Sequence, residues 1–135
     1  MQQLDINRKP IVAGAAFAML AVLIGAFAAH GLKQVLDGYA LGLIETAARY
    51  QMYHAIALLI VGVMSMARQL SARWLTLAAA AFVIGIVLFS GSLYLLAFSG
   101  IGWLGAITPV GGVAFVVGWC ALIAAAIRPS GEVVR

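Results

Sequence analysis

The chain has 135 residues, of which 65% are hydrophobic and 9% are charged, and its formal net charge is +4 at pH 7. This composition excludes a soluble globular domain, because so little charge would leave the exterior as one continuous apolar surface. It also argues against nucleic acid as a partner, because the basic residues are scattered between apolar blocks and form no basic stripe.

The first apolar segment, residues 11–29, has 19 residues without a charge, close to the length that crosses a bilayer as an α-helix. Arg8 and Lys9 precede it, and alanines surround Phe27 near its end. A cleaved signal peptide would show the same pattern, but its apolar region is usually shorter. We therefore predict a retained membrane span.

The segment between the first and second spans is amphipathic. Its apolar residues recur at helical spacing, and they are Leu32, Val35, Leu36, Tyr39 and Leu43. Lys33, Gln34 and Asp37 fall on the other side. This pattern predicts a short helix lying in the membrane interface.

Three further spans follow, at residues 47–67, 74–98 and 103–127. The last two have 25 residues each and carry no charge. The span at 47–67 contains Arg49. We expect the Arg49 side chain to extend to the headgroups at the start of that span. Helices are the expected form, because lipid offers the backbone no hydrogen-bond partners.

Small residues recur along one face of each span, with Gly14, Ala21 and Gly25 as examples in the first. Such faces let helix backbones approach closely in lipid. The predicted fold class is therefore an all-α membrane protein, a compact antiparallel four-helix transmembrane bundle forming one domain over residues 1–135. A bundle packed in this way leaves little room for a wide aqueous pore.

Lysine and arginine in short loops predict orientation, since they accumulate on the cytoplasmic side. The side with both termini and the middle loop holds Arg8, Lys9, Arg68, Arg73, Arg128 and Arg135. The other side holds Lys33 and Arg49. Both termini are therefore predicted to be cytoplasmic.

Polar residues inside the predicted spans gather toward the opposite, outer half of the membrane. They form the candidate ligand-binding site, and they are His30, Tyr50, Gln51, His54, Ser90, Tyr94 and Thr108. His54, Ser92 and Thr108 should lie about 8–10 Å in from the ends of their helices. Intramembrane polar residues of this kind are candidates for function.

Several interpretations of this cluster stay open. His54 is most simply a structural histidine bonded to a neighbouring polar group. It could instead carry protons in a transporter or narrow permeation path, or ligate haem together with His30 in an electron carrier. Ser92 is interpreted as a packing residue.

Other residue types are missing from the predicted membrane core. No acidic residue lies there, and no nucleophile with a base and an orienting acid can be assembled. Cys120 is the only cysteine, which excludes an intrachain disulfide and a cysteine-built zinc site. The sequence therefore predicts no enzymatic activity, catalytic residues, metal or cofactor.

Four ordered motifs carry a family resemblance that spans about residues 14–127. They are GAFAAHGL from Gly25, YQMYH from Tyr50, LFSGSLY from Leu88, and TPVGG from Thr108 followed by Gly118-Trp119. The chain resembles the small membrane proteins called domain-of-unknown-function family 423, related to transmembrane protein 256 of animals. The resemblance implies a four-helix protein of the bacterial inner membrane, and it implies no activity.

The leading functional expectation is a non-enzymatic membrane protein. It would be an accessory protein, associated with a membrane partner or with copies of itself, or a binder of a lipid or other small hydrophobic molecule at the outer cluster.

Overall fold

The computed structural model describes residues 8–67 and 69–128, which are almost entirely helical. The α-helices are α1 (Arg8–His30), α2 (Gly38–Met64), α3 (Ala72–Gly85), α4 (Gly91–Ser99) and α5 (Thr108–Ile127). A π-helical turn, Ile86–Ser90, joins α3 to α4, and a 3-10 turn, Gly102–Ala106, precedes α5. Arg68 and Arg135, used above to predict orientation, lie outside the described residues.

Four stretches of the described chain are long and apolar enough to cross a membrane: Arg8–Gln34, Gly38–Met64, Ala72–Ser99 and Gly102–Ile127. They contain the spans predicted at 11–29, 74–98 and 103–127, and most of the one predicted at 47–67. Consecutive spans run in opposite directions, so the prediction of an antiparallel four-helix bundle is confirmed.

The separate interfacial helix between the first two spans is not confirmed. Leu32–Gln34 forms only a single 3-10 turn, and the residues from Gly38 onward are the first turns of α2. The Asp37 side chain caps α2 by accepting a hydrogen bond from the Ala40 N–H at 2.8 Å. Because this cap sets the start of α2, the second span begins nine residues earlier than predicted, and the two glycines in its first turns do not interrupt it.

The third span is continuous from Ala72 to Ser99, but its hydrogen bonding changes in the middle. The Gly91 N–H donates to the Ile86 carbonyl, five residues back, as in a π-helix. A π-turn accommodates one extra residue, so it shifts which residues of α4 face their neighbours. The sequence did not indicate this irregularity.

The inner pair of the bundle is α2 and the third span, with α1 packed on α2 and α5 packed on α3 and the π-turn. The main core lies among α2, α3 and α5 and is centred on residues that are almost fully buried, including Leu58, Phe82 and Ala125. The predicted small-residue faces are confirmed at positions that are buried between helices: Gly14, Ala21, Ala78, Gly85, Gly111, Gly118 and Ala121.

Candidate functional site

Gln51 connects three of the four spans by hydrogen bonds. Its side-chain Nε2 donates to the Phe17 carbonyl of α1 at 2.8 Å, and its Oε1 accepts from the Tyr94 hydroxyl of α4 at 2.9 Å. A carbonyl can only accept, so the nitrogen of this amide must face Phe17. Both ends of the buried Gln51 side chain are therefore used within the bundle.

His54 is held on both ring nitrogens. Its Nδ1 lies 2.7 Å from the Tyr50 carbonyl, and the Trp119 Nε1–H donates to its Nε2 at 3.2 Å. An indole nitrogen only donates, and a carbonyl only accepts. The arrangement is therefore that of a neutral histidine with its proton on Nδ1, which links α2 to α5.

Aromatic rings enclose the His54 imidazole. The Phe115 ring stacks on it with centroids 3.4 Å apart and planes 6° apart, and the Phe82 ring lies 5.6 Å away. Nearer the surface of the bundle, the Tyr50 ring packs on the Phe89 ring with centroids 4.7 Å apart. These contacts place the histidine within an aromatic layer shared by α2, the third span and α5.

Hydroxyl groups join the remaining helices. Ser90 is fully buried and donates to the Ala47 carbonyl of α2 at 2.8 Å. Ser92 donates to the Phe89 carbonyl at 3.0 Å, and Thr108 lies 2.7 Å from the same Ser92 oxygen. Because Ser92 has one proton, Thr108 is the donor in that pair. The expectation that Ser92 only packs therefore omitted its bond to α5.

The structure brings together six of the seven predicted site residues, namely Tyr50, Gln51, His54, Ser90, Tyr94 and Thr108. His30 stands apart as the exposed last residue of α1. No hydrogen bond or ring contact between described residues links it to His54. No buried side-chain nitrogen or oxygen in the described part of the chain lacks a hydrogen-bond partner.

The depth predicted for His54 is wrong. Because α2 begins at Gly38, His54 lies about 24 Å along that helix instead of 8–10 Å. Its partner Phe115 is near the middle of the fourth span, Gly102–Ile127. The polar groups therefore extend from Ser92 and Thr108, near one end of the bundle, to His54 near its middle.

The face of this cluster that opens outward is a groove of about 430 Å³ between α2, the π-turn and α5. We call it the aromatic groove, and it is lined by Tyr50, Tyr53, His54, Phe89, Gly112, Phe115, Val116 and Trp119. Tyr50 and Tyr53 are partly exposed at its rim. Neither tyrosine hydroxyl makes a hydrogen bond within the described residues.

Comparison with known proteins decides the family. The profile of the family described as "Protein of unknown function (DUF423)" matches residues 24–112. The chain belongs to this family. The family resemblance seen in the sequence is therefore confirmed, and the four long apolar helices agree with a membrane protein.

Curated relatives of the family cover nearly the whole chain. A UPF0382 membrane protein of Staphylococcus aureus (strain bovine RF122 / ET3-1) is 46% identical over 121 residues, which cover 90% of this chain and 97% of the relative. The UPF0382 membrane protein YwdK of Bacillus subtilis is 43% identical over 123 residues, covering 87% and 95%. A UPF0382 membrane protein of Haemophilus influenzae is 46% identical over 101 residues, covering 75% and 79%. No solved structure matches the chain.

Six residues that line the aromatic groove were not among those predicted, namely Tyr53, Phe89, Gly112, Phe115, Val116 and Trp119. Phe115 and Trp119 lie beyond residue 112, where the match to the DUF423 profile ends. A signal for them was present in the sequence, because they are one helical turn apart and Trp119 lies well inside the fourth span instead of at its boundary. A tryptophan at that depth needs a hydrogen-bond acceptor, and His54 supplies it.

Proposed function

We propose that this DUF423 protein is a non-enzymatic membrane protein that binds a small hydrophobic molecule or a lipid in the aromatic groove. The observation that carries the proposal is the combination of an open groove of about 430 Å³ with walls made largely of aromatic rings. Ligand sites are typically concave and apolar, with few polar groups that fix the orientation of the ligand.

The distribution of hydrogen bonds supports recognition by apolar contact. His54, at the floor of the groove, uses both ring nitrogens inside the protein. The polar groups left for a ligand are the hydroxyls of Tyr50 and Tyr53 at the rim. A ligand with an apolar body and one hydrogen-bonding group, such as a lipid ester or a ring carbonyl, matches this arrangement.

The same bonds give less support to the two alternative functions of His54. A proton carrier must exchange its ring proton, and a haem ligand must offer a ring nitrogen to the iron. Here one nitrogen of His54 donates to Tyr50 and the other accepts from Trp119. Either function would require the bond from Trp119 to Nε2 to be broken first, because Nε2 is the nitrogen that would take up a proton or ligate the iron.

We further propose that the protein lies in the bacterial inner membrane with both termini in the cytoplasm. Four described basic residues lie at the end of the bundle where α1 begins and α5 ends, namely Arg8, Lys9, Arg73 and Arg128. At the other end the described basic residue is Lys33. Arg49 lies about 16 Å along α2 from its first residue and is paired with Glu45 at 2.5 Å. Cysteine labelling at each end, in intact and in permeabilised cells, tests this orientation. Labelling of the Arg73→Cys variant at that position in intact cells by an impermeant reagent would contradict it.

The ligand proposal is tested by native mass spectrometry of protein released from nanodiscs made with total bacterial lipid extract. We expect a retained mass on the wild-type chain that Val116→Trp, which fills the aromatic groove, removes. Val117→Trp is the matched control, because Val117 is exposed on the same helix but does not line the groove. A bare wild-type protein, or equal loss in both variants, would refute binding in this groove.

A further inference from the structure

The aromatic groove lies near the middle of the bundle, far from both membrane surfaces. On the fourth span, which has 26 residues, its lining runs from Gly112 to Trp119, about 15–26 Å from the first residue. On α2 its lining runs from Tyr50 to His54, about 18–24 Å from the first residue of that helix. Both helices are about 40 Å long, so the groove opens into the hydrocarbon core and not into the headgroup layer.

This depth limits the chemistry of the ligand. None of the described residues that line the groove is charged, so a phosphate at this level would be buried in hydrocarbon without a counterion. A phospholipid would therefore place only an acyl chain in the groove. A neutral polar ring with an apolar tail fits the groove as a whole, since the ring lies at the level of the polar groups and the tail lies in lipid.

The hydroxyls of Tyr50 and Tyr53 point to a ligand with hydrogen-bond acceptors. Neither hydroxyl makes a hydrogen bond within the described residues, whereas the Tyr94 hydroxyl of the third span donates to Gln51. Lipid tails accept no hydrogen bonds, so a hydroxyl left unpaired among them costs free energy. An acyl chain in the groove would leave both hydroxyls unpaired, and a ligand with carbonyl oxygens would accept from them.

Three of the rings that line the groove have nearly the same orientation. The His54 ring lies 6° from the plane of the Phe115 ring, and the Tyr50 ring lies 17° from His54 and 23° from Phe115. The Tyr53 ring is tilted by 58° to Tyr50, and the Trp119 ring by 60° to His54. Aromatic pairs prefer offset-stacked or edge-to-face contacts, so a flat ligand ring parallel to the first three rings would make both kinds. An acyl chain has no plane and gains nothing from this alignment.

From the depth of the groove, its unpaired hydroxyls and its aligned rings we infer that its ligand is an isoprenoid quinone. The quinone ring lies in the groove, its carbonyl oxygens accept from the hydroxyls of Tyr50 and Tyr53, and its tail extends into the lipid beside α2 and α5. This assignment rests on the proposed function, because it names the ligand of the same groove.

The test uses the full chain in phosphatidylcholine nanodiscs that contain equal amounts of geranylgeraniol and of menaquinone with a geranylgeranyl tail. The two compounds share the isoprenoid tail, and only menaquinone has the quinone ring. Native mass spectrometry of the released protein measures which compound is retained. We expect retained menaquinone to exceed geranylgeraniol about tenfold on the wild-type chain, since the ring adds stacking and hydrogen bonds. Val116→Trp, which fills the groove, should remove the menaquinone.

Tyrosine variants test the two contacts of the ring separately. Tyr50→Phe and Tyr53→Phe each remove one hydroxyl and keep the aromatic ring, and each should lower menaquinone retention about fivefold, the effect of one hydrogen bond. Tyr39→Phe is the matched control, because Tyr39 is an exposed tyrosine of the same helix that does not line the groove. Tyr50→Leu also removes the ring and should lower retention further than Tyr50→Phe. Should Tyr50→Leu not fold, Tyr50→Phe and Tyr39→Phe still give the comparison.

Failure of the quinone and failure of the proposed function give different results. Equal retention of the two compounds, both lost in Val116→Trp, would overturn the quinone and keep a groove that binds apolar tails. Retention of phosphatidylcholine alone, lost in the same variant, would do the same. Menaquinone retained equally by the wild type and by Val116→Trp would place it outside the groove and overturn the assignment. Equal effects of Tyr50→Phe, Tyr53→Phe and Tyr39→Phe would also overturn it, by showing that the rim hydroxyls do not bind the ring.

Discussion

The two outer helices of the bundle, α1 and α5, are attached to the inner pair in different ways. α5 is fixed by side chains, through the bonds from Trp119 to His54 and from Thr108 to Ser92. α1 is fixed mainly through its backbone, since Gly14 faces the Ala55 carbonyl closely and the Phe17 carbonyl accepts from Gln51. Within the most apolar stretch of each span, 11% of residues are buried in the first and 28% in the fourth.

This difference shows that one outer helix of a membrane bundle can be fixed by specific side-chain hydrogen bonds while the other outer helix leaves a groove that is open to lipid. Lipid covers an exposed apolar helix face as well as protein does, so α1 needs no second neighbour. A helix with one neighbour leaves a groove beside it, here a groove of about 560 Å³ between α1, α2 and α3. Substitutions at the contacts of α1 and α5 test this contrast.

Gly111→Ala should be the most destabilising change. An added Cβ would meet the backbone nitrogen of Phe89 and lie 2.7 Å from its Cα. The π-turn that holds Phe89 is packed against α2 and α5 and cannot move away. We expect a loss of about 3 kcal/mol in the free energy of unfolding, measured in mixed detergent micelles. Gly112→Ala is the control, because its Cβ would lie 3.9 Å from Phe89 and cause no clash. Equal stabilities of the two variants would contradict this close approach.

Gly14→Ala should cost less, about 1–2 kcal/mol, although its Cβ would lie 2.7 Å from the Ala55 carbonyl oxygen. The reason is that α1 has one main neighbour and can shift outward into lipid. Gly25→Ala, on the same helix with open space around it, should be neutral or slightly stabilising. A cost at Gly14 that exceeds the cost at Gly111 would reverse the contrast between the two outer helices.

Trp119→Phe should remove the hydrogen bond to His54 and cost about 1 kcal/mol, because Nε2 would be left without a donor. In the wild-type chain, ¹⁵N chemical shifts of the ring should show a neutral imidazole protonated on Nδ1. A wild-type ring protonated on Nε2 would show that Trp119 is not its donor.

Tyr94→Phe should cost about 0.6 kcal/mol, the average for interhelical hydrogen bonds measured in a membrane protein. Gln51→Leu removes the same bond together with the one to Phe17, so it should cost more. In the double-mutant cycle, the effect of Tyr94→Phe should vanish once Gln51 is replaced. Additive effects of the two substitutions would mean that the two side chains do not interact.

Glu45→Gln should change stability by less than about 0.5 kcal/mol. Glu45 forms an ion pair with Arg49, one helical turn further along α2. The pair is mostly exposed, because the Glu45 side chain is 70% exposed and that of Arg49 is 52% exposed. Unfolding of the wild type at low and at high salt gives a second measurement. A large salt dependence would show that this pair stabilises α2 more than an exposed pair is expected to.

The sequence predicted the four spans because their length and composition depend only on local residue types. It also predicted that Gln51, His54 and Tyr94 lie near one another, because the alternating directions of the spans place these residues at similar depths in the bundle. The sequence could not predict which atoms pair, because that depends on helix rotation. Helix rotation depends in turn on the π-turn and on single close approaches such as that of Gly111 to Phe89. The start of α2 was missed because the apolar pattern of residues 32–43 suits a helix in the interface as well as the first turns of a span.

The π-turn also determines how the third span tolerates changes in length. Removing one residue between Ile86 and Ser90 would restore regular α-helical bonding. Because the π-turn uses five residues where an α-helix needs about four, the helix after it would keep almost the same rotation. Ser92 and Tyr94 would then stay beside Thr108 and Gln51. A deletion inside α3 or α4 would instead rotate everything after it by about 100°. In an alignment, a one-residue gap is therefore compatible with these helix contacts at the π-turn, and elsewhere in the span it would mark a bundle with different contacts.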